Sequence, residues 1–395
     1  MNRPAYGWVV VAAAFTLMFV GFGAAYSFAA FFTAFQSEFG ASRGHVALVF
    51  SVAAFVWFVS GAPAGMLADR FGPRRVTLCG IVCLVAALGL ASVAGSVRTL
   101  YITYSLGIGI GVGLVYVPAV GAVQPWFTAN RAFASGLAVA GIGAGNFAVP
   151  LLAAWWIELF GWRQAFVTLA IFALALGGAA VLAIEAPAKR ADVPQGGTRL
   201  SVALRSREFA LLYGAMIFSC IGLFIPMVHI APYAQDLGYS EAQGVALVSL
   251  IGLGSLLGRF TVGPFADRIG RSRSLVAMCV SLGVMQLVWW SAGAYWLLAA
   301  FALGFGVCYG GTVALLPTIV MDLYGGRAVS GIIGFLYTGA GIGSLLGPWL
   351  AGAAYDAFGA YDVPILVGAA FAFVAAIFTF PLVRNEKEQI VHRGQ

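Results

Sequence analysis

The feature that most constrains this chain is a series of apolar runs, each near the length of a bilayer crossing. The hydrocarbon core of a membrane is about 30 Å thick, so a helix needs about 20 apolar residues to span it. Between charges and turn residues, twelve such runs stand out: 8–33, 45–67, 76–96, 100–122, 132–157, 164–185, 209–234, 243–266, 274–293, 295–320, 328–354 and 363–383. Composition agrees, with 62% of residues hydrophobic and 9% charged, where a soluble domain carries roughly a quarter charged. Such a chain cannot cover a water-facing surface. It reads as an all-α membrane protein of twelve transmembrane helices. The first apolar run, from Tyr6 to Phe35, is too long for the apolar part of a signal peptide and is expected to remain as the first span.

Charge placement gives an orientation. The net charge is +7, but the basic residues are not gathered on a nucleic-acid-like face. If loops alternate sides, one side receives Arg3, Arg70, Arg74, Arg75, Arg131, the basic residues of 186–208, Arg268, Arg271, Arg273, Arg327 and the basic tail. The other side receives Arg43, Arg98 and Arg163. Cytoplasmic loops carry the Lys/Arg excess, so both termini are expected in the cytoplasm, with the protein in the cell (inner) membrane.

The long polar segment after Glu185 divides the spans into two sets of six. The expected organisation is a six-helix bundle at 1–185, a cytoplasmic linker at 186–208, a second bundle at 209–383 and a cytoplasmic tail at 384–395. An internal repeat supports the division. "GMLADRFGPRR" from Gly65 recurs as "GPFADRIGRSR" from Gly263, 198 residues later. "FGASRGHVALV" from Phe39 is echoed by "LGYSEAQGVALV" from Leu237. Two related six-helix bundles suit a transporter with its site between the halves.

Arg259 breaks the apolar pattern of span 8. It lies eight residues before Asp267 at the span's end, a helical rise of about 12 Å. Half the hydrocarbon core is about 15 Å, so Arg259 sits near mid-depth. A charge there is costly, by about 2.5–3.5 kcal/mol on insertion scales. The repeat-equivalent position is Gly61, so the fold itself does not demand an arginine. All fourteen Asp and Glu residues fall at span ends or in loops, leaving no resident mid-span counter-ion. A guanidinium fork matches a carboxylate bidentately, so the residue reads as an anion site. The alternative is a cap on the carbonyls of a broken helix, or pairing with an acid at a span end. One fixed cation suits one negative charge and favours a monocarboxylate.

Other candidates are softer. His229 is the one histidine inside a span, and it is placed to hydrogen-bond substrate or carry a proton. A core histidine bonded to a carbonyl is the alternative. Tyr116 and Tyr309 occupy similar places in spans 4 and 10 and are expected to clasp substrate from both halves. Tyr26 and Tyr337 are secondary candidates; interhelical packing is the competing reading for all four. The glycine runs from Gly107, Gly141 and Gly339 lack the Lys-Ser/Thr of a phosphate loop and read as close helix packing. Cys79, Cys83, Cys220, Cys279 and Cys308 form no CxxC pair and read as packing residues. No metal, cofactor or catalytic set is suggested, so the chain is not read as an enzyme.

The repeated signature resembles that of the major facilitator superfamily, G-x3-D-R-x-G-x-R-R, matched by "GMLADRFGPRRV" and again by "GPFADRIGRSRS". That resemblance covers essentially the whole chain and implies two pseudo-symmetric six-helix bundles rocking by alternating access. It also implies a cytoplasmic latch built from Asp69, Arg70, Arg74 and Arg131 in one half, and from Asp267, Arg268, Arg271 and Arg327 in the other. Finer stretches are similar to the monocarboxylate-porter branch, which includes bacterial oxalate/formate-type antiporters. They are "YGWVVVAAAFTLMFVGFGAAYSF", "GIGIGVGLVYVP" and "GSLLGRFTVGPFADRIGR". In that branch the span 8 arginine binds substrate carboxylate, which implies this role for Arg259. Oxalate-type members carry a second cation near the position of Ala340; animal members carry a lysine near Ala30 and an aspartate at Ser255. This chain has none of these. The expected function is transport of small monocarboxylate anions, lactate- or pyruvate-like, coupled to protons, by a monomer in the lipid bilayer. An oxalate/formate-like dicarboxylate antiporter is the alternative.

Overall fold

The computed structural model describes residues 3–127, 131–185, 197–325 and 328–393. Helices account for nearly all of them. We number the spans α1 (Tyr6–Phe39), α2 (Arg43–Phe71), α3 (Pro73–Ser92) and α4 (Val97–Trp126), then α5 and α6 within Arg131–Ala183. The second set is α7 (Arg207–Asp236), α8 (Glu241–Ile269), α9 (Arg271–Trp290), α10 (Tyr295–Tyr324), α11 (Val329–Phe358) and α12 (Asp362–Arg393). The segment Arg131–Ala183 is helical throughout by hydrogen bonding, but Gly161 at φ 77° and ψ 161° breaks its axis. Two crossings joined without a loop therefore replace the gap expected between 157 and 164, and the count of twelve spans stands.

Local signals set the ends. Ser42, Ser206 and Ser240 accept backbone N–H groups at the starts of α2, α7 and α8. Ser240 and Gln243 complete a reciprocal capping box. The repeated signature has a conformational reason for its glycine. Gly72 and Gly270 stand at φ 88° and 101° between α2 and α3 and between α8 and α9, where a side chain would be strained. Each lets two long helices reverse with a single linking residue.

Within the first half α1 packs on α5, and α4 on α2 and α3. Within the second, α8 packs on α10, α11 on α7 and α9 on α12. Two seams join the halves: α2 against α11, and α5 against α8. At the first seam a Cβ on Gly352 would lie 2.8 Å from the Arg43 carbonyl and from Gly44 Cα. Only backbone fits there.

The two ends of the molecule differ. On the face opposite the termini, here called distal, residues 20–32 of α1 and 219–232 of α7 are all buried. Residues 209–218, on the terminal side of α7, alternate between buried, half-buried and exposed. The distal face is also clamped across the halves. Arg43, at the start of α2, donates to both carboxylate oxygens of Asp236 on α7 at 2.7 and 2.6 Å. Its guanidinium lies 3.8 Å from the ring centre of Tyr355. Asp356 accepts the backbone N–H groups of Arg43 and Gly44 at 2.9 and 2.8 Å, so a carboxylate from one half caps a helix N-terminus of the other. Thr33 donates to Gln235 at 2.9 Å.

Candidate functional site

At mid-depth, between the halves, lies a cavity of about 90 Å³. A single water needs about 10–15 Å³ by this measure, so the space suits a solute of several heavy atoms. Its wall is dominated by aromatic rings: Phe22, Tyr26, Trp57, Phe58 and Tyr116 from the first half, with Phe224, Tyr309 and Tyr337 from the second. Among the described residues no Asp or Glu lines it, and Arg259 is the one charged residue in the wall.

The backbone around Arg259 is fixed by close packing. Gly258, its neighbour, faces the Val307 carbonyl of α10 so closely that a Cβ could not be added. The arginine's Nε and Nη2 are buried and have no hydrogen-bond partner among the described residues. These two N–H groups lie along one edge of the guanidinium and form the side-on fork that pairs with a carboxylate. An unsatisfied buried donor costs about 1–3 kcal/mol, more when charged. The cavity is thus apolar, closed at one end and lined by Arg259, whose buried guanidinium has two donors unpaired among the described residues, an arrangement suited to holding an organic anion by its carboxylate and its hydrocarbon together.

The four tyrosines expected at the site all line it. Tyr26 and Tyr309 meet hydroxyl to hydroxyl at 3.1 Å, and so do Tyr116 and Tyr337, also at 3.1 Å. Each pair joins one half to the other. In such a pair one hydroxyl donates to its mate, and the other keeps its hydrogen for a further acceptor.

His229 does not join them. It is fully buried, lies outside the cavity lining and is bonded at both ring nitrogens. Arg43 donates to the Tyr361 hydroxyl at 2.9 Å. That hydroxyl donates on to His229 Nδ1 at 3.0 Å, which leaves Nε2–H to donate to the Pro348 carbonyl at 2.8 Å. The tautomer follows from this chain of donors. His229 belongs to the distal clamp, as the carbonyl-bonded core histidine that was the competing reading.

The latch residues are divided. The side chain of Arg131 and all of Arg327 lie outside the described residues, so the pairings Asp69–Arg131 and Asp267–Arg327 do too. Asp267 accepts from Arg271 at 3.1 Å, and Arg271 reaches both oxygens of Asp322 at 3.0 Å. This cluster ties α8, α9 and α10 within the second half. Arg70, Arg74 and Arg268 are exposed on the terminal face. Sequence reasoning overlooked Arg43, Asp236 and Tyr361 as a clamp, and Trp57 and Phe224 as cavity walls. Aromatic residues in an apolar span give no signal that separates a cavity wall from lipid-facing packing.

A model of the Major Facilitator Superfamily matches residues 13–258 and 212–395. Monocarboxylate transporter 13 of Bos taurus is 28% identical over 383 residues, covering 95% of this chain and 89% of that protein. Monocarboxylate transporter 3 of Rattus norvegicus is 29% identical over 389 residues, covering 94% of this chain and 79% of that one. Among solved structures, a bacterial homologue of the human lysosomal transporter Spinster, in an inward-facing and unoccupied conformation, aligns with a TM-score of 0.73 at 17% identity. It covers 97% of this chain and 98% of its own. With two six-helix halves around a central cavity and a family match along nearly its whole length, the chain is a membrane transporter of the Major Facilitator Superfamily.

Proposed function

We propose that this transporter carries small monocarboxylate anions, of lactate or pyruvate type, by alternating access with a coupled proton. The observation that carries this reading is the unpartnered Nε/Nη2 edge of Arg259 in the wall of an otherwise uncharged cavity. A carboxylate supplies the missing acceptors and cancels the buried charge, which leaves no net charge at mid-depth while the halves rock. A dianion on one cation would leave a residual charge there, so the oxalate-like alternative is less favoured. The names of the relatives agree with the monocarboxylate reading.

The moving bodies are the bundles at 1–185 and 209–383. The distal clamp holds one side shut while the cavity exchanges solute with the terminal side, which the positive-inside bias assigns to the cytoplasm. The proton's carrier is not His229, which is bonded at both ring nitrogens and lies outside the lining, nor, among the described residues, a carboxylate of the cavity wall. The test is uptake of labelled lactate and pyruvate by reconstituted liposomes, with and without an inward proton gradient. The reading expects gradient-stimulated uptake that Arg259→Ala abolishes. Uptake unchanged by that substitution ends the anion-site claim, and exchange that requires preloaded dicarboxylate favours the antiporter alternative.

A further inference from the structure

Arg259 is not the only residue of the cavity wall with an idle donor. Buried side-chain polar atoms without a hydrogen-bond partner occur at Ser51, Trp57, Ser135, Asn146, Ser249, Ser255, Arg259, Gln286 and Trp289. Of these residues, Trp57 and Arg259 line the cavity. They come from opposite halves, Trp57 from α2 and Arg259 from α8. The Trp57 ring is held by neighbours on several sides. Phe22, Tyr26, Phe50, Phe58 and Phe224 all lie with ring centroids 5.6–6.4 Å from it. Its backbone carbonyl accepts from Ser60 Oγ. A buried indole N–H normally finds an acceptor. Here a tightly packed ring of the cavity wall carries a buried donor for which the described residues supply no acceptor.

We propose that the Trp57 indole N–H is a specificity-determining donor that binds the oxygen on carbon 2 of the substrate. The inference rests on the monocarboxylate reading above and refines it. The Nε/Nη2 edge of Arg259 already offers both carboxylate oxygens a partner. The Trp57 N–H is neutral and comes from the other half, which matches a neutral hydroxyl or carbonyl oxygen next to the carboxylate. The site therefore selects 2-hydroxy and 2-oxo acids over plain alkanoates of equal size. A site that hydrogen-bonds a substrate oxygen discriminates against the analogue lacking it, because the buried donor is then left unpaired. Bound in this way, the substrate also links α2 to α8 and gives its occupancy a mechanical consequence for the two halves.

The test compares pyruvate, lactate and propionate, three-carbon acids that differ at carbon 2. For the purified wild type, pyruvate and lactate bind at least about fivefold tighter than propionate, from one net hydrogen bond of about 1 kcal/mol. Trp57→Phe keeps a ring in the aromatic cluster and removes the N–H. It raises the dissociation constants of pyruvate and lactate about 5- to 10-fold, the loss of that same hydrogen bond, while propionate stays within about twofold. A structural role for the ring weakens all three acids together, and that outcome overturns the proposal. Should Trp57→Phe fail to fold, the wild-type panel still decides: equal affinity for pyruvate and propionate overturns it. Wild type that binds none of the three acids refutes the monocarboxylate reading itself, a result distinct from loss of discrimination alone.

Discussion

Neutralising Asp236 tests whether the distal clamp sets the balance between the two open states. Asp236 receives both Nη donors of Arg43, at 2.7 and 2.6 Å, and the pair joins α7 of one half to α2 of the other. A hydrogen bond to a charged group contributes about 1.5–3 kcal/mol net, whereas a fully exposed ion pair contributes about 0–1 kcal/mol. The two side chains are 13% and 33% exposed, between those limits. Asp236→Asn keeps the shape and one acceptor but loses the charge, so we assign it about 1–2 kcal/mol of distal closure. If the contact forms only when that face is shut, the distal-open population rises about 5- to 30-fold. Spin labels at Arg98→Cys and Ala242→Cys, exposed positions at the distal ends of α4 and α8 in opposite halves, report the separation by pulsed electron resonance in a chain whose native cysteines are replaced by alanine. The distance distribution should gain a longer component in Asp236→Asn. An unchanged distribution refutes the reasoning, because it shows that the pair carries no weight in the equilibrium.

Two further outcomes follow from the same contacts. Gly352→Val places side-chain atoms against the Arg43 carbonyl and Gly44 Cα, where even a Cβ lies at 2.8 Å, and should cost about 1–3 kcal/mol by overpacking; an unchanged thermal midpoint in detergent contradicts the close seam. His229→Gln removes the link between Tyr361 and the Pro348 carbonyl and should lower the thermal midpoint while pyruvate affinity stays within about twofold. A tenfold loss of affinity at unchanged stability returns His229 to the substrate site.

The crossings were legible because the bilayer fixes their length and because charges mark their ends. The halves were legible from the Gly65 and Gly263 repeats, whose glycines at 72 and 270 prove to be obligatory turns. The join at Gly161 was not, since one glycine at positive φ leaves the helical hydrogen bonding nearly continuous. Arg259 stood out because a charge at mid-depth needs a reason that composition alone does not supply. The tyrosine pairs did not, because Tyr26 and Tyr309 are 283 residues apart, and Tyr116 and Tyr337 are 221 apart; which hydroxyl meets which depends on how the halves dock. His229 is the opposite case. An in-span histidine is chemically suggestive, but its partners Tyr361 and Pro348 come from distant elements and tie up both nitrogens. Arg43 passed for a topology charge because Asp236, Asp356 and Tyr361 are equally remote in sequence.

The central claim is that a visiting carboxylate completes the hydrogen bonding of Arg259. Calorimetric titration of pyruvate into the purified transporter measures it most directly, in wild type and in Arg259→Gln, with thermal unfolding as the check on folding. Removing one partner of a buried charge pair costs about 2–5 kcal/mol, so the account predicts one site per chain in the wild type, weakened at least about 30-fold by the substitution. Equal pyruvate affinity in the two folded proteins would contradict it.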